Sequence, residues 1–377
     1  MLTSLDIRLK NLETNYDFII IGAGSAGCLL ANRLSANPLH KVLLIEAGGS
    51  DRHFWSRIPI GYFKSIYNEK FARVFETEPS EGTGGRAITW PRGRIIGGSS
   101  SINGLIFIRG QKDDFDDWQS LGADGWDFQT VLPFFRKLED YKGGESQFRG
   151  NLGELKVDDL RLKHPACEAW LKAACNWGLP PIDDFNGQKS LGAGRYQLTL
   201  DGRWRSSSAT AFLHPVANRG NLTILPNSLV HKINFSGKRA TGVEAKCGQS
   251  LKSFKAKKII LSAGALQSPQ ILQLSGIGPS SLLKKHGIKV IYDSIGVGKN
   301  LQDHYQMRTI VQMRNGLSLN TDSRNPFKMG LHGLRWLKDG SGILSVGAGQ
   351  VGAGACTKYA KNGRPDIQLL VMPLSAN

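Results

Sequence analysis

A glycine fingerprint between two short apolar runs, a second glycine- and serine-rich stretch behind it, and a change of character near residue 143 predict an α/β fold. The architecture expected is a Rossmann-like nucleotide-binding domain joined to a second, sheet-based α+β domain. The chain has 377 residues, 40% of them hydrophobic, which suffices for two domains or one domain with a large insertion.

Each element follows from local pattern. Residues 16–46 read as a βαβ unit. The apolar run 18–21 suits a buried parallel strand, 28–34 a helix and 42–45 the second strand. Asp113 and Asp114 mark a helix N-terminus, where negative charge is favoured, and Phe115 and Trp118 follow at helical spacing. Asp127 is the expected N-cap of a helix with Val131, Phe134, Phe135 and Leu138 on one face. A strand over 154–157, a helix over 165–177 and a Pro/Asp/Gly-rich loop over 180–192 open the second domain. Residues 206–213 read as helix. The runs 222–225, 229–235 and 242–245 read as short strands with a turn at Gly237-Lys238, and 258–263 as a further buried strand. Ser268 and Pro269 are the expected N-cap and first residue of a helix reaching Leu274. Beyond Asp303 the chain reads as loops and short strands around one amphipathic helix, 326–337. The expected division is an extension over 1–15, a nucleotide-binding domain over 16–142 and 205–305, and a second domain over 143–204 and 306–377.

Composition excludes several classes. The 48 basic and 31 acidic residues give a net charge of +17. No nucleic-acid motif or aromatic–basic interleaving accompanies that excess, so no nucleic-acid partner is expected. No run approaches the ~18 apolar residues of a membrane-spanning helix. Residues 1–15 lack the apolar core of a secretory signal, and Asp6 and Glu13 argue against a transit peptide. The expectation is a cytoplasmic protein, with peripheral membrane association left open. Five cysteines at 28, 167, 175, 247 and 356 show neither CxxC nor zinc spacing and read as free thiols, and no metal site is expected.

The fingerprint is Gly22-x-Gly24-x-x-Gly27. Its first glycine suits the tight turn, the second the approach of a pyrophosphate, the third close helix–strand packing. The helix behind it offers free amides and a dipole to an anion. Glu46 ends the second strand nineteen residues after Gly27, where an acid binds a ribose hydroxyl. These features do not separate NAD from FAD. The stretch 93–104 carries four glycines, three consecutive serines and one asparagine, and suits close backbone approach to a flat or anionic group.

Together these motifs resemble the glucose–methanol–choline (GMC) family of FAD-dependent oxidoreductases, on the side of its choline-dehydrogenase-like alcohol dehydrogenases. The resemblance is carried by 16–49, by Trp90-Pro91-Arg92-Gly93-Arg94 through Gly110, by 262–279 and by 296–304, in that order. It implies non-covalent FAD. Gly22, Gly24, Ser25, Ala26 and Gly27 would hold the pyrophosphate, and Glu46 with Ala47 the adenosine ribose. Gly97, Gly98 and Ser99, with Asn103, Gly104, Leu105 and Ile106, would line the flavin. Val230 would meet the adenine, and Ala263 and Gly264 would close against the cofactor. Some relatives attach the flavin through a histidine, and the matching position here is Ile102, which has no nucleophile.

The implied reaction is oxidation of a primary alcohol, choline-like or other, to the aldehyde by hydride transfer to flavin N5. It leaves the electron acceptor open between oxygen, a quinone and a carrier protein. The base expected in the family is a histidine from its C-terminal region, and no matching stretch is found before Asn377. The chain therefore reads as a truncated, N-terminal portion, expected to be poorly soluble. His304 is the weak internal candidate for a base, read first as a hydrogen-bonded loop residue. The alternative is an FAD-binding remnant without turnover.

Overall fold

The computed structural model describes residues 13–313 and 318–375. Most of the expected N-terminal extension, 1–12, lies outside the described residues, as do 314–317 and 376–377 of the expected last segment. Contacts divide the chain into two compact units, Met1–His53 with Ser65–Ile102 and Ser207–Met307, and Phe54–Lys64 with Asn103–Ser206 and Arg308–Asn377.

The first unit is built on a six-stranded sheet. Its spatial order is Leu222–Leu225, Val42–Ile45, Asn15–Ile21, Ser250–Leu261, Arg239–Cys247, Ser228–Ser236. The first four strands run parallel and the last two pairings are antiparallel. Ile19, Ile20, Leu43 and Leu44 are wholly buried, as the unbroken apolar runs require of strands covered on both faces. Register aligns the strand ends. Ile21 faces Ile45 on one side and Leu261 on the other, and Ile45 faces Leu225. The loops after Ile21, Ile45, Leu225 and Leu261 thus emerge together at the carboxyl edge, where open α/β sheets bind ligands.

Several elements differ from expectation for identifiable reasons. The strand expected over 258–263 runs from Ser250 to Leu261. Its first half forms a hairpin with Arg239–Cys247, in which exposed Lys255 follows buried Phe254. The lysine-rich sequence masked that half. The helix expected from Pro269 begins at Gly264 and carries Pro269 inside it. Gly264, at φ +81°, turns the chain out of the strand at once, a conformation glycine adopts without steric cost. Residues 206–213 do not form an α-helix. A π-helical turn, Ala209–Leu213, leads directly into a 3₁₀ turn, His214–Val216. Thr210 donates from its hydroxyl to the Ser207 carbonyl (2.9 Å), the kind of local bond that competes with regular helix.

In the second unit, Val351–Ala355 is the centre of a three-stranded antiparallel sheet flanked by Gly192–Arg195 and Ile367–Val371. The helix Pro165–Asn176 packs Trp170, Leu171 and Ala174 onto Ala193 and Ala353 of that sheet. Residues 103–142, expected with the nucleotide-binding segments, make their contacts within this unit. Ile106–Phe107 pairs with Gln197–Leu198, and the helix Phe128–Leu138 packs with Phe115 and Phe148. Asp127 caps that helix as expected, accepting from Thr130 N at 3.1 Å. Phe134 does not join its buried face and is 70% exposed, because Phe128, Val131 and Leu132 already form the inward stripe.

A buried charge network sits beside them. Glu139 Oε1 accepts from Arg109 Nη2 (2.6 Å), Arg149 Nε (3.0 Å) and Gly150 N (2.9 Å). Arg149 also donates to Asp184 (2.8 Å). No helix among the described residues is long and apolar enough to cross a membrane.

Candidate nucleotide-binding cleft

A cleft of about 470 Å³ opens at the carboxyl edge of the first unit's sheet. Of the residues expected to bind a nucleotide, Gly22, Gly24, Ser25, Ala26, Glu46, Ala47, Gly98, Ser99, Val230, Ala263 and Gly264 line it.

The glycines have two distinct tasks. A Cβ on Gly22 would stand 2.6 Å from Ser262 O, one on Gly27 would stand 1.9 Å from Gly22 O, and one on Gly98 would stand 2.7 Å from Gly24 Cα. These three are required by backbone packed against backbone. Gly24 and Gly264 differ. The nearest atom to a Gly24 Cβ is Ser262 O at 4.0 Å, and a Gly264 Cβ would meet nothing within 4 Å. Both line the cleft with empty space where a side chain would be. Gly24 is also the N-cap of the helix Ser25–Leu34 and provides no capping side chain, and no acid stands in the first turn. The helix therefore presents its positive end to the cleft with no cap or acid of its own to offset it.

Glu46 is 7% exposed. Its Oε2 accepts from Ala23 N at 2.9 Å and its Oε1 from Gly48 N at 2.7 Å, so it ties the fingerprint turn to its own loop. Burial raises its pKa above the ordinary value, against the lowering effect of the Gly48 and Ala23 amides and of Arg94. A carboxylate oxygen takes two donors, so each retains capacity for a ligand hydroxyl.

The second glycine-rich stretch is fastened to the first. Gly97 N donates to Ala23 O (2.7 Å), while within the stretch Gly93 N donates to Ser99 Oγ (3.0 Å), and Ser100 Oγ pairs with Ser208 Oγ (2.8 Å) at the start of the π-helical turn. Gly27 and Gly97 support the cleft without lining it. Asn103, Gly104, Leu105 and Ile106 belong to the second unit. There Asn103 Oδ1 accepts from Leu105 N (3.1 Å) and Arg205 Nη1 (2.6 Å), Gly104 O accepts from Ala348 N (2.8 Å), and Leu105 takes φ +68°. Nothing in the sequence signalled the last of these, since leucine rarely adopts that conformation.

Sequence reading missed Arg92, Arg94, Ser262, Gln267 and Ser268, all of which line the cleft. Two arginines either side of Gly93, at the start of the glycine-rich stretch, were a usable signal for an anionic ligand. Ser262 donates to Gly22 O (3.0 Å) and Ile21 O (2.9 Å) and had a signal too, being polar at the end of a buried strand. Ile102 is 2% exposed against Phe71, Ala72 and Ile95. His304 is exposed, with its backbone N–H on Asp303 Oδ1 (2.8 Å), and it does not line the cleft. His214 is paired with Asp51 (2.9 Å) and His332 with Asp322 (3.3 Å).

With this geometry in place, comparison with known proteins is decisive. The profile of the GMC oxidoreductase family matches residues 16–306. The chain belongs to the GMC oxidoreductase family. It is 42% identical over 340 residues to the oxygen-dependent choline dehydrogenase of Photobacterium profundum, covering 89% of this chain and 60% of that protein. It is 38% identical over 366 residues to the mitochondrial choline dehydrogenase of Homo sapiens, covering 95% and 61%. An FAD-dependent oxidoreductase from Chaetomium thermophilum superposes with a TM-score of 0.81 at 32% identity, covering 90% of this chain and 62% of that one. The chain thus spans about three fifths of the length of the curated relatives it matches.

Proposed function

We propose that the first-unit cleft binds FAD non-covalently, in a protein that oxidises a primary alcohol, choline-like or other, to the aldehyde. The observation that carries this reading is the pair Gly24 and Gly264, which leave room for a ligand at an uncapped helix N-terminus. Ser25 and Ala26 amides at that terminus suit a pyrophosphate, and Arg92 and Arg94 add positive charge at the cleft wall. Glu46 suits the ribose hydroxyls, with Ala47 beside it. Val230 would meet the adenine, while Gly98, Ser99, Ala263 and Gly264 would accommodate the flavin end. When bound, the flavin supplies the acceptor for a hydride leaving the carbinol carbon. Ile102 has no nucleophile for a covalent link, and its burial among apolar side chains leaves none of its atoms to a ligand. Relatives named as choline dehydrogenases support the alcohol class.

One observation favours a second reading, binding without turnover by this chain. Alcohol oxidation needs a base within hydrogen-bond reach of the hydroxyl. No described histidine lines the cleft. The test is a flavin spectrum of the purified chain, followed by acid precipitation and anaerobic addition of choline and other primary alcohols. Flavin released into the supernatant and bleached by an alcohol before precipitation is the result expected of the first reading. Bound flavin that no alcohol bleaches selects the second. A chain that takes up no flavin overturns both.

A further inference from the structure

No residue from 207 to 219 lines the nucleotide-binding cleft, yet this segment is bonded to three chain segments whose other residues do. It begins with Ser207 and Ser208, continues through the π-helical turn Ala209–Leu213 and the 3₁₀ turn His214–Val216, and ends at Arg219. A π-helical turn is rare, and where one occurs it frequently marks a functional site. The ties made by Ser208, Phe212, His214 and Arg219 reach residues 108 to 187 positions away along the chain.

The tie to the second glycine-rich stretch is made of hydroxyls. Gly97 O accepts from Ser100 Oγ (2.6 Å) and from Ser208 Oγ (3.1 Å), and Ser208 N donates to Ser100 Oγ (3.0 Å). Ser208 and Ala209 are both buried. A Cβ on Gly97 would stand 3.1 Å from Ala209 Cβ, so the start of the turn packs directly on this glycine. Gly97 holds φ +89° and is followed by Gly98 and Ser99, which line the cleft. The direction of the Gly97 carbonyl therefore sets where those two residues stand.

The other ties go to the fingerprint helix and to the loop that Glu46 opens. Asn32 Nδ2 donates to Phe212 O (2.7 Å) inside the π-helical turn. Arg219 Nη1 donates to Asn32 O (2.7 Å) and to Ser35 Oγ (2.9 Å). His214 Nε2 pairs with Asp51 Oδ1 (2.9 Å). One segment thus holds the helix behind Gly24, the loop behind Glu46 and the carbonyl in front of Gly98.

We infer that residues 207–219 form a brace that preorganises the cleft for flavin, with Ser208 as a positioning residue that acts through Gly97 O. This role rests on the reading of the cleft as an FAD site. A ligand binds more tightly where its contacts are already fixed, because the cost of ordering them does not fall on binding. Without the Ser208 hydroxyl, Gly97 O keeps only its Ser100 donor of the two, and Gly98 and Ser99 lose part of their support. The ordering cost then falls on binding.

The test compares three variants of the full 377-residue chain with the wild type. It reads thermal unfolding without flavin, FAD affinity by fluorescence titration, and the visible absorption of the bound flavin. Ser208→Ala should weaken FAD binding about tenfold and shift the flavin bands. His214→Ala, which cuts only the partly exposed tie to Asp51, should weaken binding about threefold. Asn221→Ala is the control. Asn221 Nδ2 donates to Ser35 O (3.1 Å), Asn37 O (2.9 Å) and His40 O (2.9 Å), and Asn221 does not line the cleft. Its loss should lower the unfolding midpoint at least as far as Ser208→Ala does, yet leave FAD affinity within about twofold of the wild type. Wild-type chain that takes up no FAD overturns the reading of the cleft and the brace with it. Wild type that binds FAD, with Ser208→Ala binding it equally tightly or leaving its spectrum unmoved, overturns the brace alone. So does an Asn221→Ala variant that loses as much affinity as Ser208→Ala, since Ser208 would then act only through general stability. Should Ser208→Ala fail to fold, His214→Ala decides, and wild-type affinity there overturns the brace.

Discussion

Glu46 in the first unit and Glu139 in the second are both buried carboxylates, yet they are satisfied in opposite ways. Glu46 accepts from two backbone amides, one on each oxygen, and forms no ion pair among the described residues. Glu139 concentrates two guanidinium groups and one amide on Oε1. The first arrangement leaves acceptor capacity at the mouth of a cleft. The second ties three segments of chain, around Arg109, Glu139 and Arg149, to one atom. A carboxylate held by backbone donors can take a further ligand, whereas one held by arginines acts as a structural clamp.

The comparison is most severely tested by removing the clamp. Glu139→Ala leaves Arg109 and Arg149 charged and buried, with side chains 4% and 2% exposed. Removing one partner of a buried ion pair costs about 3–5 kcal/mol. Urea denaturation should show that loss, or no folded protein at all. A loss below about 1 kcal/mol, the range of exposed pairs, would mean the network is no clamp.

Glu46→Gln comes next. One oxygen is replaced by an amide that cannot accept, which leaves Ala23 N or Gly48 N without its partner, at a cost of about 1–3 kcal/mol. The pH dependence has a definite sign. Because burial raises the Glu46 pKa in the folded state, that state binds the proton more readily than the unfolded chain. Its contribution to stability is therefore greatest below the unfolded value and falls as pH rises through the raised folded value. Denaturation curves across the acid range should show this falling component in the wild type and not in Glu46→Gln. Equal slopes in the two proteins would show that the backbone donors outweigh burial.

Much of this contrast was legible in sequence on one side only. The fingerprint, the position of Glu46 and the short apolar strands are local signals, and the parallel register that assembles them follows from runs such as 18–21 and 42–45. The Glu139 network is not local. Arg109 and Arg149 lie 30 and 10 residues from Glu139, and nothing in their neighbourhood distinguishes them from surface arginines. The helix start at Gly264 was hidden for another reason. Ser268-Pro269 imitates a helix N-terminus, while the actual signal is a glycine turning the chain at the strand end. Of the site, the contacts between the two glycine-rich stretches were unreadable because each glycine looks alike in sequence, whether it faces a ligand or another backbone.

Gly27→Ala addresses the packing glycines. Its Cβ would lie 1.9 Å from Gly22 O, which cannot yield without moving the fingerprint turn. Overpacking of this kind costs about 1–3 kcal/mol. Thermal unfolding should report that loss even without flavin, and an unchanged midpoint would place real slack between the helix and the turn.

Gly24→Ala is expected to have the smallest effect on stability and is the most informative of the set. The position has φ −80° and ψ −160°, which alanine adopts without strain. Its Cβ would meet nothing closer than 4.0 Å. Because alanine is the poorer N-cap, stability without flavin should fall, but by no more than about 1 kcal/mol. Flavin affinity should fall by about tenfold or more, since a methyl group would occupy the space through which a pyrophosphate reaches the helix amides. Gly264→Ala is a poorer probe, because φ +81° adds backbone strain to any change in binding. Fluorescence titration of FAD against Gly24→Ala and the wild type separates the two tasks of the cleft glycines. Equal affinities would mean that Gly24 faces open space rather than a ligand, and the spare acceptor capacity of Glu46 would lose its nearest evidence of use.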